Sequence, residues 1–153
     1  MKKFLFLFLI LFAHFSLAQT DKINPKTPPT KDIFFKKENT PNAAPTQKIK
    51  QIHSDSINRK PDLYGGNMFF DGNVEFQHNG AVLTANRVVF YQKENFVKAI
   101  GNVVLVTSDG NRITAEEMEY DGETQRGIAR KNVVLTDPKQ TISTDVLYYD
   151  RVK

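Results

Sequence analysis

The sequence predicts an all-β protein, and three observations carry that prediction. A unit of about 30 residues recurs down the chain, apolar residues alternate with period two inside it, and turn-forming pairs separate the alternating runs. Gly72-Asn73-Val74-Glu75-Phe76 returns as Gly101-Asn102-Val103-Val104-Leu105 and again as Lys131-Asn132-Val133-Val134-Leu135, at offsets of 29 residues (72 to 101) and 30 (101 to 131). A second block keeps step with the first: Leu83-Thr84-Ala85-Asn86, Ile113-Thr114-Ala115-Glu116 and Ile142-Ser143-Thr144-Asp145, with Ile52-His53-Ser54-Asp55 as a weaker first copy. Each full copy leads into an apolar and aromatic run: Val88-Val89-Phe90-Tyr91, Met118-Glu119-Tyr120-Asp121 or Leu147-Tyr148-Tyr149-Asp150.

In chain order the first element is an export signal. Lys2 and Lys3 precede an apolar run from Phe4 to Ala13, and Ser16-Leu17-Ala18 ends it with small residues, so residues 1–18 are read as a signal peptide cleaved after Ala18. The run is shorter than the roughly 20 residues that span a bilayer. The sequence holds no cysteine, which excludes a lipid-modified cysteine, disulfides and thiolate metal sites.

Residues 19–48 form a Pro- and Lys-rich leader. Five of the seven prolines (Pro25, Pro28, Pro29, Pro41, Pro45) fall there among Lys, Thr, Asn and Gln. Such a composition buries too little apolar surface to offset chain entropy, so a disordered tether is expected. The leader also holds the positive charge: residues 19–50 carry seven basic and three acidic groups, whereas residues 51–153 carry 12 and 14. Its one apolar cluster, Ile33-Phe34-Phe35 beside Lys36-Lys37, is too small for an amphipathic membrane anchor. Residues 49–153 are the folded β-repeat domain.

Within that domain, Asn79-Gly80, Asp109-Gly110 and Asp121-Gly122 supply residues that accept positive φ, and Asp137-Pro138 punctuates the last unit. Each unit is expected to hold about four short strands, or two hairpins. Ile113 and Ala115 are odd-numbered while Met118 and Tyr120 are even, and Leu83 and Ala85 stand in the same relation to Val88 and Phe90. A strand exchanges faces only through a bulge or corner, which places one at Asn86-Arg87, at Glu116-Glu117 and at Asp145-Val146. Corners repeated once per unit fold a sheet onto itself, giving two facing sheets in a jelly-roll-like or β-solenoid stack.

The Gly-Asn-Val start, the Ile/Leu-x-Ala/Thr-acid/amide block and the closing Tyr120-Asp121 and Tyr149-Asp150 resemble the OstA-like N-terminal domain family, the family of LptA and of the periplasmic domain of LptD, over residues 49–153. The resemblance implies a curved β-jelly roll whose units join end to end into a periplasmic bridge, with the acyl chains of lipopolysaccharide in an apolar groove between the sheets. It further implies location in the periplasm, association with the outer membrane, and pairing through edge strands with other OstA-like proteins or head to tail with copies of itself. The lipid-binding candidates are the inward residues Val74, Phe76, Leu83, Ala85, Val103, Leu105, Ile113, Ala115, Val133, Leu135 and Ile142. An inward Val or Ile is more often plain core than ligand wall. Most of these positions are aliphatic, while the aromatics gather at Phe69, Phe70, Phe90, Tyr91, Tyr120 and Tyr149, which favours a groove over a filled core.

Two departures from the pattern matter. Lys131 stands where the other copies have glycine, and the first unit is degenerate at Ile52, as terminal units of a stack tend to be. No polar cap follows the strand that ends in Tyr149-Asp150, so an edge that pairs with another protein, or a longer chain, is expected.

Chemistry of other kinds finds little footing. His53 and His78 have no metal-compatible partners beyond His53-x-Asp55, so no metal or other cofactor is expected. Glu117, Glu119 and Asp121 alternate along one strand face and are read as its solvated side rather than as a carboxylate pair for glycoside chemistry. No nucleophile elbow or phosphate loop occurs, so the chain is not expected to be an enzyme. The net-negative domain with interspersed charges also argues against nucleic acid. A lipid-carrying bridge and a periplasmic adaptor that holds protein partners through open β edges are the two functional readings.

Overall fold

Eight strands follow in chain order: β1 (Lys50–His53), β2 (Ser56–Arg59), β3 (Met68–His78), β4 (Ala81–Tyr91), β5 (Phe96–Val106), β6 (Arg112–Asp121), β7 (Arg126–Thr136) and β8 (Thr141–Asp150), with a single 3-10 turn at Tyr64–Gly66. They are seen in a computed structural model of the protein that describes residues 35, 36 and 47–151. All pairings are antiparallel in the order β1-β3-β4-β5-β6-β7-β8, and β2 lies beside β1 on the same edge of β3. The all-β fold expected from the sequence, a curved sheet of repeated hairpin units, is therefore present, and one detail of it differs. Each unit holds two long strands bent in the middle, not four short ones, and the two facing layers are the two halves of one sheet.

The bends are written into the register. Asp71 pairs with Arg87 and Val74 with Ala85, so Gly72 and Asn73 stand opposite Asn86 alone. In the same way Gly101 and Asn102 oppose Glu116, and Lys131 and Asn132 oppose Asp145. Corners thus lie on β4, β6 and β8 where the parity switch placed them. The Gly-Asn-Val segment, which starts the first block of each repeat, is the other half of each corner. Its first two residues are left-handed in every copy: φ is 75° and 45° at Gly72 and Asn73, 78° and 47° at Gly101 and Asn102, 66° and 52° at Lys131 and Asn132. The left-handed pair leaves parity unchanged, so Phe70, Val74 and Phe76 remain on the buried face, and β3, β5 and β7 bend without a shift in their hydrophobic pattern.

Glycine is required at the first corner for a second reason: a Cβ on Gly72 would meet the Asp55 carboxylate at 2.2 Å. The turns between strands largely follow their sequence signals, with Asn79 and Gly80 at φ 48° and 78° and Gly110 at φ 87°. Asp121-Gly122 departs from its reading. Positive φ falls instead on Gln125 (φ 55°), and Gly122 is small because a Cβ there would lie 2.6 Å from Asn95 Nδ2. Asp121 closes that turn by accepting hydrogen bonds from the Glu123 and Thr124 N–H groups at 2.7 and 3.2 Å.

Candidate functional site: an apolar interior and its open edge

Inward residues of both sheet halves meet in one cluster. Val74, Phe76, Leu83, Ala85, Val103, Leu105, Ile113, Ala115 and Val133 are buried together with Phe70, Val88, Phe90, Val97, Ala99, Met118, Tyr120 and Ala129 from the facing half. Leu135 packs against this cluster half-buried, whereas Ile142 is 40% exposed and stands apart from it. The structure therefore brings ten of the eleven expected groove residues together and leaves Ile142 at the margin. The aromatics are not set apart from these residues. Phe70 and Phe90 pack edge-to-face on Phe76 at 5.2 and 5.4 Å between ring centroids, and they fill the interior at the β3–β4 end. Sequence spacing could not reveal this, because the residues belong to opposite halves that meet only after the sheet folds.

The mouth between the halves is laced by polar contacts. The Gln47 carbonyl accepts from Asn95 Nδ2 at 3.1 Å and lies 2.9 Å from His78 Nε2, while Asn95 Oδ1 accepts from the Ile49 N–H at 2.8 Å. A carbonyl can only accept, so His78 carries its proton on Nε2, and Nδ1 accepts from the Tyr120 hydroxyl at 2.9 Å. Burial holds the His78 imidazole below its ordinary value of 6.5 despite the Gln47 bond that opposes the shift. Burial likewise pushes the Tyr120 hydroxyl well up, so this pair is neutral. Arg151, just past β8, spans the same mouth by donating to the Asn79 carbonyl at 2.9 Å. His78 is thus one of the ties between the two halves.

A second feature was missed by sequence reasoning: a column of polar side chains along the corners. Asn73 Nδ2 donates to Asp55 Oδ2 at 3.0 Å and Asn102 Nδ2 to Asn86 Oδ1 at 3.4 Å, and Asn132 Nδ2 donates to Glu116 Oε1. The signal was in view, since asparagine is the second residue of the first block in all three copies and an acid or amide ends the second block in all four. Its meaning depended on knowing that the two positions are opposed across a bend.

The carboxylates do not form a solvated row. Glu119 is buried against Arg130 at 3.3 Å, and the Lys131 ammonium, 2.6 Å from Glu117, holds that carboxyl below the usual carboxylate range. His53 faces Asp55 at 3.5 Å on the surface, and no group of three or more metal-ligating side chains is assembled among the described residues. Nor is any helix among them long and apolar enough to cross a membrane. In the leader, the Phe35 ring packs edge-to-face on Phe96 at 5.5 Å and the Lys36 carbonyl accepts from Arg126 Nη1 at 3.3 Å. The expected signal peptide, Ile33 and Phe34 lie outside the described residues.

Comparison with known proteins places this architecture. The chain is 32% identical over 82 residues to the LPS-assembly protein LptD of Polaromonas sp. (strain JS666 / ATCC BAA-500), a match that covers 54% of this chain and 10% of that protein. The chain thus spans about a tenth of the length of this curated relative. The fold is shared with LptH of Pseudomonas aeruginosa, described as the LptA-homologous periplasmic component of the conserved lipopolysaccharide transport device. That match has a TM-score of 0.58 at 18% identity over 68% of this chain and 76% of that one. The model of the OstA-like protein family matches residues 46–153, the whole of the folded sheet, and the chain belongs to that family.

Proposed function

We propose that the chain is a lipopolysaccharide-binding component of a periplasmic transport bridge, exported by cleavage after Ala18 and acting in outer-membrane assembly. One observation carries this reading: a continuous apolar face runs between the sheet halves from β3 to β8, filled by aromatic rings at the β3–β4 end and accessible at Ile142. Acyl chains enter at the β7–β8 end, where Leu135 and Ile142 are accessible. They reach Val133, Ile113, Ala115, Leu105, Val103, Ala85, Leu83, Phe76 and Val74 only as the halves part. Exchanging side-chain for acyl contact leaves apolar area buried throughout, at roughly 25 cal/mol per Å², so lipid can move along the face without a large barrier from water. Such a carrier needs no nucleophile and no metal. The names of the relatives support this cargo, and the open β8 edge supports pairing with other OstA-like strands or with copies of the chain itself.

The filled β3–β4 end favours a second reading, an adaptor with a dry core that holds protein partners by its edges. Photo-crosslinking separates the two. With benzoylphenylalanine at Ile142, Leu135 or Leu105 and purified lipopolysaccharide, the carrier gives strong adducts at Ile142 and Leu135 and weaker ones at Leu105. Absence of adducts at all three leaves only the adaptor.

A further inference from the structure

The two halves of the sheet present very different outer faces. On the half that carries Leu83, Leu105 and Ile113, the outward aliphatics Val82, Val104 and Val134 are half-exposed and Val106 is 39% exposed. On the other half, Phe69, Val89 and Ile128 also point outward, because Phe70, Val88, Phe90 and Ala129 beside them in sequence belong to the core cluster and they do not. Yet they are 4%, 0% and 0% exposed. With its inner face packed on the core, an antiparallel sheet ordinarily gives the other face to water. An outward Val and an outward Ile without accessible surface therefore need a cover.

Part of that cover is the connection between β2 and β3. Tyr64 packs edge-to-face on Phe69 at 5.3 Å, and the Arg87 guanidinium lies 5.3 Å from the centre of the same ring. Ile128 stands in the same row, Phe69-Val89-Lys98-Glu119-Ile128, but four strand spacings, roughly 19 Å, from Phe69. At that end the leader comes in. Phe35 packs on Phe96 and the Lys36 carbonyl accepts from Arg126. Phe96 and Arg126 belong to the adjacent outward row, two residues along their strands from Lys98 and Ile128. Two residues of strand cover about 7 Å, and two residues of extended leader reach as far, so Ile33 and Phe34 fall within reach of that row while Phe35 keeps its place.

We propose that the outer face of this half is a docking surface for the chain's own leader, which binds there as a strap through Ile33-Phe34-Phe35. The cluster is the one run of three apolar residues in the leader, and the face offers it Val89, Phe96 and Ile128. Too small to anchor in a membrane, it suits one row of a sheet. Only residues 37–46 separate Lys36 from Gln47, which is tied to the mouth through His78 and Asn95, so the cluster is kept at high effective concentration beside the face. Docked, it withholds an apolar patch of the outer face from other partners.

The chain holds no cysteine and no tryptophan, so single introduced residues report cleanly. In the chain that begins at Gln19, the thiols of Ile128→Cys and Val89→Cys should react slowly with a maleimide. Ile33→Ser, Phe34→Ser and Phe35→Ser together should speed both by about tenfold or more, because reaction then no longer waits for the strap to open. Val104→Cys, on the outer face of the other half, should react at one rate with either leader. Unchanged rates at Ile128→Cys and Val89→Cys overturn the proposal, and so does an equal rise at Val104→Cys, which would mean that the whole sheet had loosened. Phe34→Trp gives a second reading that leaves the cluster apolar. Its emission should be blue-shifted and shielded from acrylamide; emission matching that of a free peptide of residues 28–40 overturns the proposal as well.

Discussion

Leu83, Ile113 and Ile142 occupy the same place in successive units, yet they are 5%, 1% and 40% exposed. The strands that carry them bend at the same point and by the same device, so the local sequence does not explain the difference. Neighbours do. Leu83 and Ile113 have a strand on either side and a facing half above them, and Ile142 has a strand on one side only. In a stacked sheet, burial belongs to a position in the array rather than to a residue in its repeat. The β3–β4 end, filled by Phe70, Phe76 and Phe90 and laced by Gln47 and Asn95, is built to be stable. The β7–β8 end leaves Ile142 and Val146 exposed.

Substitutions at equivalent positions should expose this contrast most strongly. Phe76→Ala removes a ring packed between two others and should destabilise the fold by about 3–5 kcal/mol, whereas Ile142→Ala should cost about 0.5 kcal/mol in urea or thermal unfolding. Similar losses at both sites would mean that the β8 end is covered in solution.

The corners offer a smaller test of the same comparison. Gly72→Ala must hold a left-handed alanine against Asp55 and should cost about 2 kcal/mol. Lys131→Gly, at the corresponding corner near the open end, relieves a strained φ while losing the contact to Glu117, and should leave the unfolding midpoint nearly unchanged. A large loss at Lys131 would show that this corner too is locked by its neighbours.

The smallest effect concerns pH. His78 is held neutral, with a folded-state value below the 6.5 of the unfolded chain, so the unfolded state takes up its proton first as pH falls. Its contribution to stability is complete above about pH 6.5 and declines below it, as the pH drops toward the folded-state value. The unfolding midpoint should therefore slope downward on acidification, less so in His78→Gln, with the β3–β6 mouth opening before the β7–β8 hairpin in hydrogen exchange. An unchanged slope in the variant would place the acid sensitivity elsewhere.

Much of the fold was legible because repetition multiplies weak signals. Any single Gly-Asn-Val is uninformative, but three copies in step with a second block define the unit, and the parity switches at Asn86-Arg87, Glu116-Glu117 and Asp145-Val146 locate half of each corner. The other half, at Gly72-Asn73 and its copies, was hidden because the left-handed pair leaves the alternation undisturbed. That alternation picked out ten residues that face the shared interior, because it reports facing direction faithfully. It could not report that Phe70 and Phe90 would share their interior, or that Ile142 would lie outside it.

The sequence by itself determined the β architecture, the length of the unit and the side of each strand that is apolar, because all three depend on spacing along the chain. Only the tertiary structure decided which apolar positions are covered and which polar groups meet across the corners. Those outcomes depend on how many strands stand beside a residue, and a repeat that looks alike in every copy carries no record of its place in the stack.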